Sequence, residues 1–233
     1  MTTTLRLAKR LVELLACSRR EAELYIAGGW VMVDGLVVEA PQYMVTDEQQ
    51  VMLHPEANLT PVEPATMLIH QPYGADAVQI SPETRAPDDA SGIYQLKQHV
   101  YRLAQCLPLE RNASGLQVFT QDFRVARKLT DEAGTIEQEY IVEVDGDLSD
   151  EGLKQLNHGL KFNGRALPPV KVSWQNETRL RFALKGVIPG SIAHSCQAVG
   201  LTLISMKRIR IGRVAMAKLP AGQWRYLLPH ERF

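Results

Sequence analysis

The sequence predicts an α+β protein in two parts, a small N-terminal module over residues 1–60 and a larger, mainly antiparallel domain over residues 66–233. Three observations predict it. The apolar period is helical near the start and then gives way to short alternating runs; Asn58 to Thr66, with Pro61 and Pro64, reads as a linker; and from Met67 onward strands outnumber helices. At 233 residues and 45% hydrophobic content, the chain can bury a core of its own.

Leu7, Leu11, Leu14 and Leu15 fall at i, i+4, i+7 and i+8, which predicts one apolar stripe on a first helix. Ser18-Arg19-Arg20-Glu21 is a capping box that starts a second helix, and Gly28-Gly29 stops it. Trp30 to Val38 reads as two strands around an Asp34-Gly35 turn, with Val51 to Leu53 as a third. In the larger part, strands are predicted at Met67 to His70, Leu116 to Thr120, Glu139 to Val144, Val170 to Trp174, Arg179 to Leu184, Leu203 to Ile211 and Gln223 to Leu227. Helices are predicted near Tyr94 to Leu103, Phe123 to Leu129 and Asp150 to Leu156. In Lys207-Arg208-Ile209-Arg210-Ile211 a period of two sends both isoleucines to one face and Arg208 and Arg210 to the other, as a basic ribbon.

Charge is balanced overall, with 26 Lys or Arg against 26 Asp or Glu, but not locally. Residues 201–233 carry seven cations, among them Lys207, Arg208, Arg210 and Arg213, against the single acid Glu231. Such density suits a polyanion, the alternative being a solvated basic face. Arg19 and Arg20 raise the same question. They open a helix, where the macrodipole disfavours cations, yet two guanidinium groups beside free amides suit a phosphate, and Arg6, Lys9 and Arg10 extend that patch. The other reading pairs them with Glu21 and Glu23. No apolar run nears the roughly 18 residues of a membrane span and the first ten residues lack a signal-peptide core, so a cytoplasmic protein without a membrane partner is expected. Cys17, Cys106 and Cys196 form no metal or disulfide spacing and read as buried thiols.

Dinucleotide, phosphate-loop, serine-nucleophile and helical His-pair signatures are absent. The six histidines are scattered, so no metal site is expected, and Asp88-Asp89 and Asp131-Glu132 read as solvated loop acids.

Arg6-Leu7-x-Lys9, Ser18-Arg19-Arg20-Glu21-Ala22, Gly29 and Val31-x-Val33-Asp34-Gly35 resemble the alpha-L RNA-binding domain. Leu109 to Asp122, Gln138 to Gly146 and the closing run through Arg208-Ile209-Arg210-Ile211-Gly212 to Trp224-Arg225 resemble the RsuA-like RNA pseudouridine synthases. The resemblance implies a ribosomal RNA partner, a monomer, no cofactor and the isomerisation of a flipped-out uridine. It also implies an aspartate acting on the sugar, a tyrosine under the base at Tyr140, and an arginine near the C-terminus paired with the aspartate. This chain departs from the pattern at several points. Glu110 stands at the aspartate position, Gln71 and Gln138 replace expected lysines, and Lys185 to Ser195 holds no arginine where the family has several. The added methylene shifts a carboxylate by about 1 Å, enough in a tight site to cost on the order of a hundredfold. Three readings follow: an isomerase using Glu110 and Tyr140, with activity weak or lost; an inactive RNA-binding or ribosome-assembly factor gripping RNA through Arg6, Lys9, Arg19, Arg20, Lys207, Arg208, Arg210 and Arg213; or a protein scaffold.

Overall fold

Residues 4–75, 77–158 and 160–233 are described by a computed structural model. The chain divides into two units, Met1–Pro64 with Tyr94–Tyr101, and Ala65–Ile93 with Arg102–Phe233.

In the first unit, β1 (Thr4–Arg6) leads directly into α1 (Leu7–Leu15), followed by α2 (Arg19–Ala27), β2 (Val31–Val33), β3 (Leu36–Val37), β4 (Met44–Thr46) and β5 (Val51–Leu53). Ser18 Oγ accepts from the Glu21 amide while the Glu21 carboxylate accepts from the Ser18 amide, the reciprocal cap that the sequence predicts. Leu7 and Leu11 are buried with Ile26, Val31 and Val45. Leu14 and Leu15 are not: α1 ends at Ala16 in the left-handed region, so the expected stripe is half as long, and the two leucines are 49% and 40% exposed. Asp34 and Gly35 both have positive φ and close the β2–β3 hairpin. A strand pair missing from the sequence prediction, β1 with β4, sets Arg6 opposite Met44. Tyr94–Tyr101 joins this unit, where Gln98 Nε2 donates to Ala27 O and the Lys97 amide to Glu39. The helix predicted near Tyr94 to Leu103 is only a short 3-10 turn, Lys97–Val100.

The second unit carries β6 (Thr66–Gln71), β7 (Ala104–Cys106), β8 (Ser114–Thr120), α3 (Phe123–Asp131), β9 (Glu137–Asp145), α4 (Asp150–Asn157), β10 (Lys161–Phe162), β11 (Arg165–Ala166), β12 (Lys171–Trp174), β13 (Arg179–Lys185), α5 (Ser191–Ala198), β14 (Thr202–Ile211), β15 (Val214–Ala215) and β16 (Trp224–Tyr226). Its main sheet runs β12-β13-β9-β14-β8-β6-β16, antiparallel except where β14 lies parallel to β8. β7 pairs β8, and β15 pairs β14. The register sets Leu180, Phe182 and Leu184 opposite Val142, Tyr140 and Gln138. Apart from Gln138, that face packs under α4 and α5 with Leu156, Ile192 and Cys196. A second cluster gathers Leu116, Val118, Leu129 and Ile211. Gly115 is required at the parallel seam. Its φ is +107°, and a Cβ there would lie 2.2 Å from the Arg208 carbonyl oxygen.

The basic ribbon needs correction. A register shift between Arg208 and Arg210 against β9 breaks the period of two, so Arg208 is turned inward while Arg210 stays near the surface. Asp89 is no solvated loop acid either: its side chain is 2% exposed and pairs with Arg85 at 2.8 Å. Among the described residues no helix is long and apolar enough to cross a membrane.

Candidate active site

The turn that enters β8 places Glu110. Leu107 has a φ of +47°, Pro108 follows, and the Ala113 amide closes the loop on the Glu110 carbonyl. The Glu110 carboxylate reaches 80 residues along the chain to α5, where Oε2 accepts from the Gly190 amide at 2.9 Å. Gly190 is the left-handed cap of that helix, so the acid is bound at the positive end of a helix rather than by an arginine. Oε1 is buried and accepts no hydrogen bond among the described residues.

Beside it lies a polar relay. Tyr140, on β9, is 2% exposed and donates to Gln138 Oε1 at 3.1 Å. Gln138 Oε1 also accepts from Arg208 Nη1 at 2.9 Å. The other guanidinium nitrogens donate to main-chain carbonyls, Nε to Leu116 O at 2.8 Å and Nη2 to Leu107 O at 2.6 Å. Arg208 is 1% exposed, and burial lowers its pKa against the opposing influence of Tyr140. Burial likewise pushes the Tyr140 phenol up; Arg208 acts against this shift and Glu110 adds to it. The phenol is therefore a neutral donor held between a buried cation and an acid. Gln138, which the sequence marks only as a missing lysine, is the acceptor that joins Arg208 to Tyr140. At this site α5 is an element that the sequence reading missed; Pro189-Gly190 before an uninterrupted run of helix-compatible residues is the signal that marks it.

The basic residues do not form one surface. Arg210 donates to Glu137, Glu139 and the Gly212 carbonyl, while Arg181 donates to Glu139. Burial alone would raise the Glu139 carboxyl, but Arg210 and Arg181 outweigh it and hold the group below the usual range. Lys207 is half-buried, Arg213 is exposed, and Arg208 is unavailable to solvent. In the other unit Arg6, Lys9, Arg19 and Arg20 are all exposed. Arg19 donates to Glu23 at 2.9 Å, one of the pairings that the sequence left open. Cys106 and Cys196 are buried, the latter thiol pushed up to about 12 by burial, whereas Cys17 is half-buried.

The RNA pseudouridylate synthase family matches residues 64–183, and the S4 domain family matches residues 5–51. An uncharacterized RNA pseudouridine synthase of Aquifex aeolicus is 27% identical over 97% of this chain and 94% of its own. The ribosomal small subunit pseudouridine synthase A of Yersinia pestis is 26% identical over 97% and 96%. The dual-specificity RNA pseudouridine synthase RluF of Escherichia coli K12 is 24% identical over 98% of this chain and 77% of its own. A crystal structure of a pseudouridylate synthase superposes with a TM-score of 0.57, covering 96% of each chain at 18% identity, which is a likeness of fold.

Proposed function

The chain belongs to the RNA pseudouridylate synthase family, and we propose that it is an RNA-binding member, directed to ribosomal RNA, in which uridine isomerisation is slow or absent. The observation that carries this reading is the state of Glu110. An acid that attacks or deprotonates a sugar must be free to reach it, yet here one carboxylate oxygen is anchored to the Gly190 amide and the other is buried. The one cation in the relay, Arg208, is committed to Leu116, Leu107 and Gln138 and pairs with no carboxylate among the described residues. Arg6, Lys9, Arg19, Arg20, Lys207 and Arg213 are the groups left to hold phosphates, and the domain boundaries near residues 60 and 66 separate the two sets.

One observation favours a second reading, an isomerase that uses glutamate. Supporting it, Ala113 and Leu109 of the loop that carries Glu110 pack with Tyr140 in one core cluster, and the Glu110 carboxylate adds to the rise of the Tyr140 phenol. Release of tritium from RNA labelled at uridine C5 decides between the two. RNA bound with a salt-dependent affinity and no release beyond background supports the first reading; release at many turnovers refutes it. Glu110→Asp will not restore rapid release, because the shortened side chain still lacks a cationic partner. A vigorous Glu110→Asp variant would show that the missing arginine is unimportant.

A further inference from the structure

The first unit holds a concavity lined by residues outside the candidate active site. A cleft of about 660 Å3 lies between the β1–β4 ribbon, the exposed side of α1 and the start of α2. That volume is within the ordinary range for a small-ligand pocket, roughly 300–1,000 Å3. Its lining combines apolar Val12, Pro41 and Met44 with the cations Arg6, Lys9 and Arg19 and one acid, Glu23, whose carboxylate accepts from Arg19.

Local structure brings these groups together. Arg6 and Met44 are direct partners in the β1–β4 ladder, so their side chains rise side by side from one ribbon. Lys9 and Val12 are three residues apart on α1 and adjoin on its surface. Arg19 opens α2 with its side chain 79% exposed and its Nε bonded to Glu23, and among the described residues its terminal nitrogens have no partner. Among the described residues, the ion pairs of this unit are Arg10 with Asp47 and Arg19 with Glu23, so Arg6 and Lys9 have no carboxylate. Met44, 52% exposed, is a large apolar side chain left uncovered, and a thioether adapts readily to the face of a flat ring.

Apolar side chains beside three cations, with a single acid that is already paired to Arg19, match a flat base carrying a phosphate on either side. We infer that this cleft takes one unpaired nucleotide of an RNA strand, the base against Met44 and Val12 and its flanking phosphates on Arg6, Lys9 and Arg19. A duplex keeps its bases stacked inside and offers mainly phosphates and groove edges, so the apolar side chains gain nothing from it. This rests on the RNA-binding reading above and specifies the form of RNA that the first unit selects.

The test uses the full chain with two probes, a short single-stranded oligouridylate and the same strand annealed to oligoadenylate, titrated over a range of salt. Met44→Ser should weaken the single strand about tenfold, as expected for losing some tens of Å2 of apolar contact, and leave its salt dependence unchanged. Met44→Leu should restore the affinity. Arg6→Ala should lower the slope of log affinity against log salt by about 0.7 for the single strand. Parent-like single-strand affinity in Met44→Ser, or an equal loss on both probes, overturns the nucleotide site while leaving RNA binding intact. A parent that binds neither probe overturns the RNA reading and the site with it.

Discussion

Replacing Arg208 with methionine separates its two possible roles, an interior clamp and a surface phosphate contact. The structure gives the side chain three hydrogen bonds, to Leu116 O, Leu107 O and Gln138 Oε1, and no access to solvent. Methionine is similar in length and leaves little empty volume, so cavity formation is a minor part of the cost. Bonds to a charged donor contribute about 1.5–3 kcal/mol each, and loss of the donor strands the Leu116 and Leu107 carbonyls; Gln138 still accepts from Tyr140. That range is already net of desolvation, so the two stranded carbonyls, taken at its lower end, set the scale. A net destabilisation of about 3 kcal/mol remains, and with a urea dependence of about 2 kcal/mol per molar it lowers the unfolding midpoint of the larger unit by about 1.5 M. Among molecules still folded, the salt dependence of RNA binding should match that of the parent. An unchanged midpoint together with a salt slope reduced by about one is the behaviour of an exposed phosphate contact, and that result would refute the buried-clamp assignment.

Gly115→Ala should be among the most damaging single-methyl additions, at about 3 kcal/mol or more, because φ is +107° and the new Cβ meets the Arg208 carbonyl. A melting temperature within a degree or two of the parent would contradict it. Arg19→Ala and Arg20→Ala should each weaken RNA binding and make its salt dependence shallower, since both cations are exposed at the start of α2; slopes equal to the parent's would defeat this. Glu139, Asp89 and Glu231 are all held below the usual carboxylate range, although burial opposes it in each; arginine partners aid all three, with main-chain amides adding at Asp89 and Glu231. A carboxyl lowered on folding contributes stability above its unfolded pKa and loses it as pH falls through the folded value. Urea midpoints should therefore decline as pH falls below about 4.5, and Glu139→Gln should be less stable near neutrality but decline less, whereas parallel curves would exclude this role.

Much of the fold was legible because it depends on local rules. The Ser18–Glu21 cap, the Asp34-Gly35 turn and the alternation of Leu180, Phe182 and Leu184 with Arg179, Arg181 and Lys185 are each fixed within a few residues, and each appears where those residues place it. What failed depends on distant partners. Whether β14 keeps its period is decided by its register with β9, where the shift beside Arg208 has no marker in the β14 sequence. Leu14 and Leu15 continue a helical period, yet the chain turns at Ala16. The candidate site shows the same division. Glu110 and Tyr140 could be picked out by resemblance, whereas the Gly190 amide that binds Glu110 lies 80 residues away and could not be inferred from spacing.

The placement of Tyr94–Tyr101 has a practical consequence for dissecting the chain. This octapeptide lies between β6 and β7 in sequence, yet Leu96 is buried in the first unit, close enough to Gly29 that a Cβ there would be 2.8 Å from Leu96 Cδ2. Truncation at residue 60 would strip this loop of its surroundings, baring a leucine and the amide donor of Lys97 on whatever remains. A clean excision of the larger part thus calls for two edits, removal of the leading residues and replacement of the octapeptide with a short polar bridge, and a single-cut product is expected to self-associate.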